Sequence, residues 1–210
     1  SSPWKNKINI LFDGNEVDLT ELGLLCWRGD PHTLRIQPTP GSSLIGQMIT
    51  LQWRGEPPGI GLTVSDIGKP LMLEPSGLEW RFSSQVASST SSLFSLALST
   101  PVLASPRELF GRLISTQLTD ELTLMLDQVT ATAASQTLFP CIGARHNLRY
   151  LPKALSPLVG LQGMLMWQGT PAEELDASVE PPLDNARPLD DGGIGWALDF
   201  SASKTIGNFA

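Results

Sequence analysis

The feature that most constrains this fold is an internal repeat. Displaced by 114 positions, His32, Leu34, Arg35, Pro38, Ser42, Leu44, Gly46, Leu51, Trp53, Gly55 and Pro57 fall on identical residues. Their partners run from His146 to Pro171, eleven matches in 26 positions without a gap. The echo continues with small shifts, placing Cys26 on Cys141 at 115, Trp80 on Trp196 at 116 and Phe94 on Phe209 at 115. A unit of about 115 residues is too long for a solenoid repeat and has the size of an independent domain. The sequence therefore divides into residues 1–117 and 118–210.

The texture of each half is that of short strands. Lys7–Phe12 alternates apolar and polar residues and ends in Asp13-Gly14, a turn pair. Leu22–Trp27, His32–Gln37, Met48–Trp53, Gly61–Val64, Leu71–Glu74, Leu78–Phe82 and Leu93–Leu98 follow, with turn signals between them. Arg107–Ile114 fits either a helical turn or an edge strand. In the second half Leu122–Leu126, Leu148–Leu151, Gly163–Trp167, Ala177–Val179 and Gly195–Phe200 answer strands of the first. Ile206–Ala210 begins a last strand that reads as C-terminally truncated beside its counterpart. Seven or eight short strands per unit predict an all-β chain of two antiparallel β-sandwich domains.

Charge narrows the function classes. The chain of 210 residues carries a net charge of −7, which disfavours a nucleic-acid partner. Most of it lies in residues 118–210, with 5 basic against 11 acidic side chains. No apolar run reaches the roughly 18 residues of a membrane span, so membrane insertion is not expected. The chain starts at Ser1 without an initiator Met and reads as part of a longer polypeptide.

The pattern Leu44-Ile-Gly-x-x-Ile-x-Leu-x-Trp-x-Gly55, followed by Leu62-Thr-Val-Ser-Asp-Ile-Gly-Lys-Pro-Leu71 and Gly77-Leu-Glu-Trp80, resembles a known family. It is similar to the tandem immunoglobulin-like repeats of very large bacterial surface and secreted proteins of the adhesin type. The resemblance covers most of residues 8–98 and, more loosely, 122–210, where Ala177-Ser-Val-Glu-Pro-Pro-Leu183 replaces the Asp-Ile-Gly-Lys-Pro element. It implies two tandem immunoglobulin-like domains at a bacterial cell surface or secreted, with a structural or adhesive role and no catalytic residues.

Candidate sites follow from what the repeat shares and what it does not. Trp53, Trp80, Trp167 and Trp196 recur and are expected in the core, as are the repeat-equivalent Cys26 and Cys141, unbonded to each other. Trp4 and Trp27 do not recur and suit surface contacts. Arg28-Gly29-Asp30, next to Trp27, has the composition of an integrin-type recognition turn. Chance alone places such a triplet in a chain this long roughly 4% of the time, so it needs structural support. Glu173, Glu174 and Asp176 could offer oxygen ligands to Ca²⁺, the one cofactor the sequence suggests, although no EF-hand spacing is present. His32 and His146 are the only histidines, one per unit, and no nucleophile or metalloprotease motif accompanies them.

These observations point to a non-catalytic spacer or stalk whose partners are neighbouring domains of the same polypeptide. Two other readings stay open. One is a dedicated recognition module for a host surface protein or glycan, and the other an accessory domain pair of a secreted toxin or enzyme.

Overall fold

Ile8, Ile10 and Phe12 alternate with polar residues, and alternation at a period of two sends one face of a strand inward. The computed structural model describes residues 3–20, 22–86, 91–118, 121–131 and 137–210. It resolves into two compact units, Ser1–Thr116 and Gln117–Ala210.

In the first unit β1 (Ile8–Phe12) turns through Asp13-Gly14 into β2 (Asn15–Glu16). Both turn residues have positive φ, 49° and 81°, as a two-residue hairpin matched to strand twist requires. A 3₁₀ turn at Val17–Leu19 leads to β3 (Leu24–Trp27), β4 (His32–Pro38), β5 (Met48–Trp53) and β6 (Leu62–Val64). Then come β7 (Pro70–Met72), β8 (Leu78–Ser84), β9 (Ser92–Ser99) and β10 (Arg107–Ile114). One sheet runs β2-β1-β4-β8-β6 and the other β3-β10-β9-β5-β7. Every pairing is antiparallel except β3 with β10. Arg107–Ile114 is thus a strand, but it lies inside its sheet between β3 and β9 rather than at an edge. The Ser-rich segment from Ser83 to Ser92, which the sequence marks as a hairpin loop, instead gives Ser83 and Ser84 to β8 and Ser92 to β9, and its residues 87–90 lie outside the described residues.

The core lies between these sheets. Leu34, Ile36, Trp80 and Phe82 face Leu24, Cys26, Ile49, Leu51, Leu96, Leu98 and Leu113, all at most 1% exposed. Phe12 meets Phe82 edge-on at 5.5 Å, the arrangement aromatic quadrupoles favour. Trp4, expected at the surface, is buried instead, because its indole N–H donates to the Ser105 carbonyl at 2.8 Å.

The second unit comprises β11 (Leu122–Leu126), β12 (Val129–Thr130), β13 (Arg145–Pro152), β14 (Gln162–Gly163), β15 (Ser178–Glu180), β16 (Arg187–Pro188) and β17 (Ile194–Asp199). Its main sheet runs β12-β11-β13-β17-β15, the order of β2-β1-β4-β8-β6. Registers also correspond. Leu126 stands opposite Leu148 as Phe12 stands opposite Leu34, and Trp196 opposite Leu148 as Trp80 opposite Leu34.

The facing layer differs. In the first unit β5 is laddered to β9 on one side and β7 on the other. Gly163–Trp167, expected as a strand, is one only at Gly163, and residues 164–167 have no ladder partner among the described residues. Gly163 stands opposite Arg187, and Gln168 exchanges backbone bonds with Ala210 at 2.8 and 2.9 Å. Ile206–Ala210 contributes one bridge, Phe209 to Gly169. Trp53 and Trp167 are half-buried rather than buried, since each sits at the rim against a phenylalanine. Trp53 meets Phe94 edge-on at 6.1 Å, and Trp167 stacks on Phe209 at 4.4 Å. Trp80 and Trp196 are the fully interior pair.

Because Trp80 fills the middle of a closed core, Trp80→Ala should cost the first unit about 3–5 kcal/mol, while the rim change Trp53→Ala should cost less. Urea denaturation followed by circular dichroism checks the ranking.

Candidate functional site

The turn between β3 and β4 is the segment the sequence marks for recognition. Trp27's carbonyl accepts the Asp30 N–H at 3.1 Å, and Gly29 takes φ 88°. An added Cβ at Gly29 would come within 2.3 Å of a Val86 methyl, so glycine is required for both conformation and space. Arg28 does not join an exposed display. Its side chain is 2% exposed, its N–H donates to Ile114 and its guanidinium donates to the Ile60 carbonyl at 2.8 Å. The Arg-Gly-Asp triplet is therefore split, with Arg28 turned inward to hold a loop and Asp30 left in solvent. Trp27 is half-buried beside a cleft of about 500 Å³ shared with Asp13, Leu19, Leu22, Leu25 and His32.

His32 opens β4 and ties that cleft together. Its Nδ1 lies 2.6 Å from Asp13 Oδ2, and its Nε2 accepts the Trp27 N–H at 2.9 Å. Asp13 uses its other oxygen to accept the Thr33 N–H at 2.9 Å. Since β1 and β4 belong to one sheet and β3 to the other, this bridge crosses the sandwich. The second unit repeats it atom for atom. His146 Nδ1 bonds Asp127 Oδ2, its Nε2 accepts the Cys141 N–H at 2.8 Å, and Asp127 Oδ1 accepts the Asn147 N–H at 2.7 Å. With both ring nitrogens engaged, neither imidazole has a nitrogen free to act as a general base.

Sequence reasoning missed the two aspartates, although Asp13 and Asp127 lie 114 apart, the offset of the histidines. It also set the cysteines one position out of register. Cys141 donates to His146 as Trp27 donates to His32, so Cys141 occupies the place of Trp27, and Pro140 that of Cys26. Cys26 is buried between the sheets, and burial, with the Asp13 charge nearby, pushes its thiol up to about 12. Cys141, expected in the core, is exposed, because it holds the position of Trp27, which lies outside the core, rather than that of the buried Cys26. Both cysteines are free.

The proposed calcium ligands are not gathered. Glu173, Glu174 and Asp176 are exposed on a turn closed by backbone bonds, Glu174 N–H to Pro171 and Asp176 N–H to Glu173. Among the described residues no three His, Cys, Asp or Glu side chains are placed to hold a metal ion. The second unit does carry a groove of about 540 Å³ on its outer sheet face, bordered by Met125, Arg149 and Glu180. Gly195 and Ala197 floor it, at the register positions of Glu79 and Arg81 in the first unit.

No protein-family model matches the chain, and no curated protein matches it in sequence. Solved structures do. The Escherichia coli adhesin FdeC aligns over 94% of this chain at 12% identity and a TM-score of 0.44. A protein of unknown function from Porphyromonas gingivalis W83 aligns over 90% of this chain and 82% of its own length, at 11% identity and a TM-score of 0.32. The chain spans 55% of the FdeC chain it matches.

Two measurements test the site. A thiol reagent should label Cys141 in the native protein and Cys26 only after unfolding; equal labelling would contradict the register that puts Cys141 in the place of Trp27. For acid stability, the Asn147 N–H and the His146 side chain hold the Asp127 carboxyl below its ordinary value. A lowered folded pKa means that the stabilisation is complete above the unfolded value of about 3.9 and is lost as pH falls through the folded one. Acid unfolding of Asp127→Asn should therefore show a shallower pH dependence below about pH 4 than wild type.

Proposed function

We propose that this chain is a non-catalytic structural or adhesive module of a larger bacterial exported protein, with its two units acting as a spacer or stalk at the cell surface. One observation carries the reading. The residues the units share serve architecture: core leucines and tryptophans, the cross-sandwich histidines, and arginines that hold turns. Rigid modules in series add length, and what they must share is what makes them rigid.

A second reading, recognition through the first unit, rests on Trp27 and Asp30. Both border solvent, and their equivalents in the second unit, Cys141 and Ala144, have different chemistry. A host protein or glycan is the partner class this reading implies. The two readings separate in one assay. Asp30→Ala and Trp27→Ala should leave binding to host cells or purified integrin unchanged, and Asp30→Ala should leave the folding stability within about 0.5 kcal/mol of wild type. Attachment that is present in wild type and lost in Asp30→Ala, with folding intact, would overturn the stalk reading in favour of recognition.

A further inference from the structure

We infer that the free edge of residues 164–167 in the second unit accepts an added antiparallel β-strand, supplied by a basic segment of another polypeptide with apolar residues at alternate positions.

The first unit shows what covers the equivalent edge there. β9 lies along β5, with Thr50 opposite Ser99, Gln52 opposite Ala97 and Trp53 opposite Leu96. One step further, the Arg54 N–H donates to the Ser95 carbonyl at 3.1 Å. The second unit keeps that last step, since Gln168, in the place of Arg54, exchanges both backbone bonds with Ala210. It keeps the opposite side too: the Asp184 N–H donates to the Leu165 carbonyl at 2.9 Å, as the Gly68 N–H donates to that of Leu51 at 2.7 Å. By the alternation of an antiparallel ladder, the N–H and C=O groups of Met164 and Met166 point to the side that β9 covers in the first unit. They meet no backbone partner there among the described residues. A row of unpaired strand groups is a template for another strand.

Inward, the same place is short of apolar cover. Leu51, Leu96 and Leu98 are all 0% exposed and belong to one core. Leu165, in the place of Leu51, is only half-buried. On the main sheet Leu148 and Tyr150 are half-buried, where their counterparts Leu34 and Ile36 are 0% exposed. Two apolar side chains in the places of Leu96 and Leu98 would bury this surface, a gain that grows with the area removed from water.

The outward residues and the charge favour a strand from a different polypeptide. Met164 and Met166 stand where the first unit has Thr50 and Gln52, and they are 49% and 55% exposed. Thr50 and Gln52 flank a strand of their own unit. Methionine, unbranched and polarizable, repacks against different neighbours, which suits a strand that comes and goes. Residues 118–210 carry 5 basic against 11 acidic side chains, so a basic segment is drawn to this unit and an acidic one is repelled. The net charge of −7 likewise sets one copy of the chain against another.

The register follows from the first unit. Ala210 holds the place of Ser95, so the added strand starts beside Ala210 and runs antiparallel to residues 164–167. Its residues in the places of Ala97 and Ser99 exchange hydrogen bonds with Met166 and Met164. Those in the places of Leu96 and Leu98 turn inward. Main-chain bonds supply affinity in such a docking, and the alternate side chains supply selectivity. An acceptor edge of this kind serves a stalk and a recognition module alike, and it uses neither Trp27 nor Asp30.

A peptide tests the edge on the full chain. The probe has the sequence of residues 96–102, Leu-Ala-Leu-Ser-Thr-Pro-Val, followed by a pair of lysines. It should bind saturably and slow backbone amide exchange at Met164 and Met166 roughly tenfold, the scale of one hydrogen bond's net contribution, while leaving Thr50 and Gln52 unchanged. N-methylation of the peptide at Ala97, whose N–H faces Met166, should abolish the effect. N-methylation at Leu98, whose N–H points away from the edge, should not. Glutamates in place of the lysines should weaken binding. No saturable binding, binding indifferent to methylation at Ala97, or binding as tight with glutamates overturns the proposal. So does slow exchange at Met164 and Met166 before peptide is added. Slow exchange that survives dilution gives the edge to the chain itself, and slow exchange that dilution removes gives it to a second copy.

Discussion

Hydrophobic burial pulls two sheets together but does not say how they should sit, because it is roughly proportional to area and has no direction. The Asp–His–backbone bridge supplies the direction. One imidazole, fixed by a carboxylate in its own sheet, reaches the N–H of a specific residue on the facing strand. That amide lies beside the cleft where β3 has no neighbouring strand, so the bridge also satisfies a donor that would otherwise invite another chain. Its recurrence with Cys141 in place of Trp27 shows that the backbone position matters and the side chain does not.

Several other shared residues serve turns. Arg35 and Arg149 donate to the carbonyls of Ser76 and Gly192, the residues before Gly77 and Gly193. Those glycines take φ 93° and 90°, and a Cβ on either would come within 2.5 or 2.4 Å of a carbonyl oxygen on the neighbouring strand. Ser42 and Ser156 accept from the N–H two residues on, both at 3.2 Å. The N–H of Gly46 and of Gly160 each donate to a leucine carbonyl at 2.8 Å, closing the loop that carries the buried Leu44 or Leu158. Serine and glycine are retained here for hydrogen bonding and backbone shape, which is why they align as clearly as the core.

The units part both inside and outside the shared sheet. Pro140 replaces Cys26 and removes an N–H from the segment that corresponds to β3. Gly195 and Ala197 replace the Glu79 and Arg81 positions and line a groove on the second unit. The buried Cys26 has no counterpart in the core of the second unit, whereas Glu79 and Arg81 are exposed and their replacement leaves the core untouched.

The sequence by itself determined the strand content and the period of the repeat, but it put Trp53 and Trp167 in the core beside Trp80 and Trp196, and only the structure sets the first two at the rim. Alternation and turn chemistry are local, and an ungapped match of His, Arg, Ser and Gly positions leaves little freedom in the turns they define. It did not determine that Arg28 points inward, that Cys141 is exposed, that Trp4 is buried or that Arg107–Ile114 runs inside a sheet. Each of those depends on a tertiary partner: Ile60 for Arg28, His146 for Cys141, Ser105 for Trp4, and β3 with β9 for the inner strand. Local preference is the same for an arginine that meets water and one that meets a buried carbonyl, so only the tertiary structure could tell them apart.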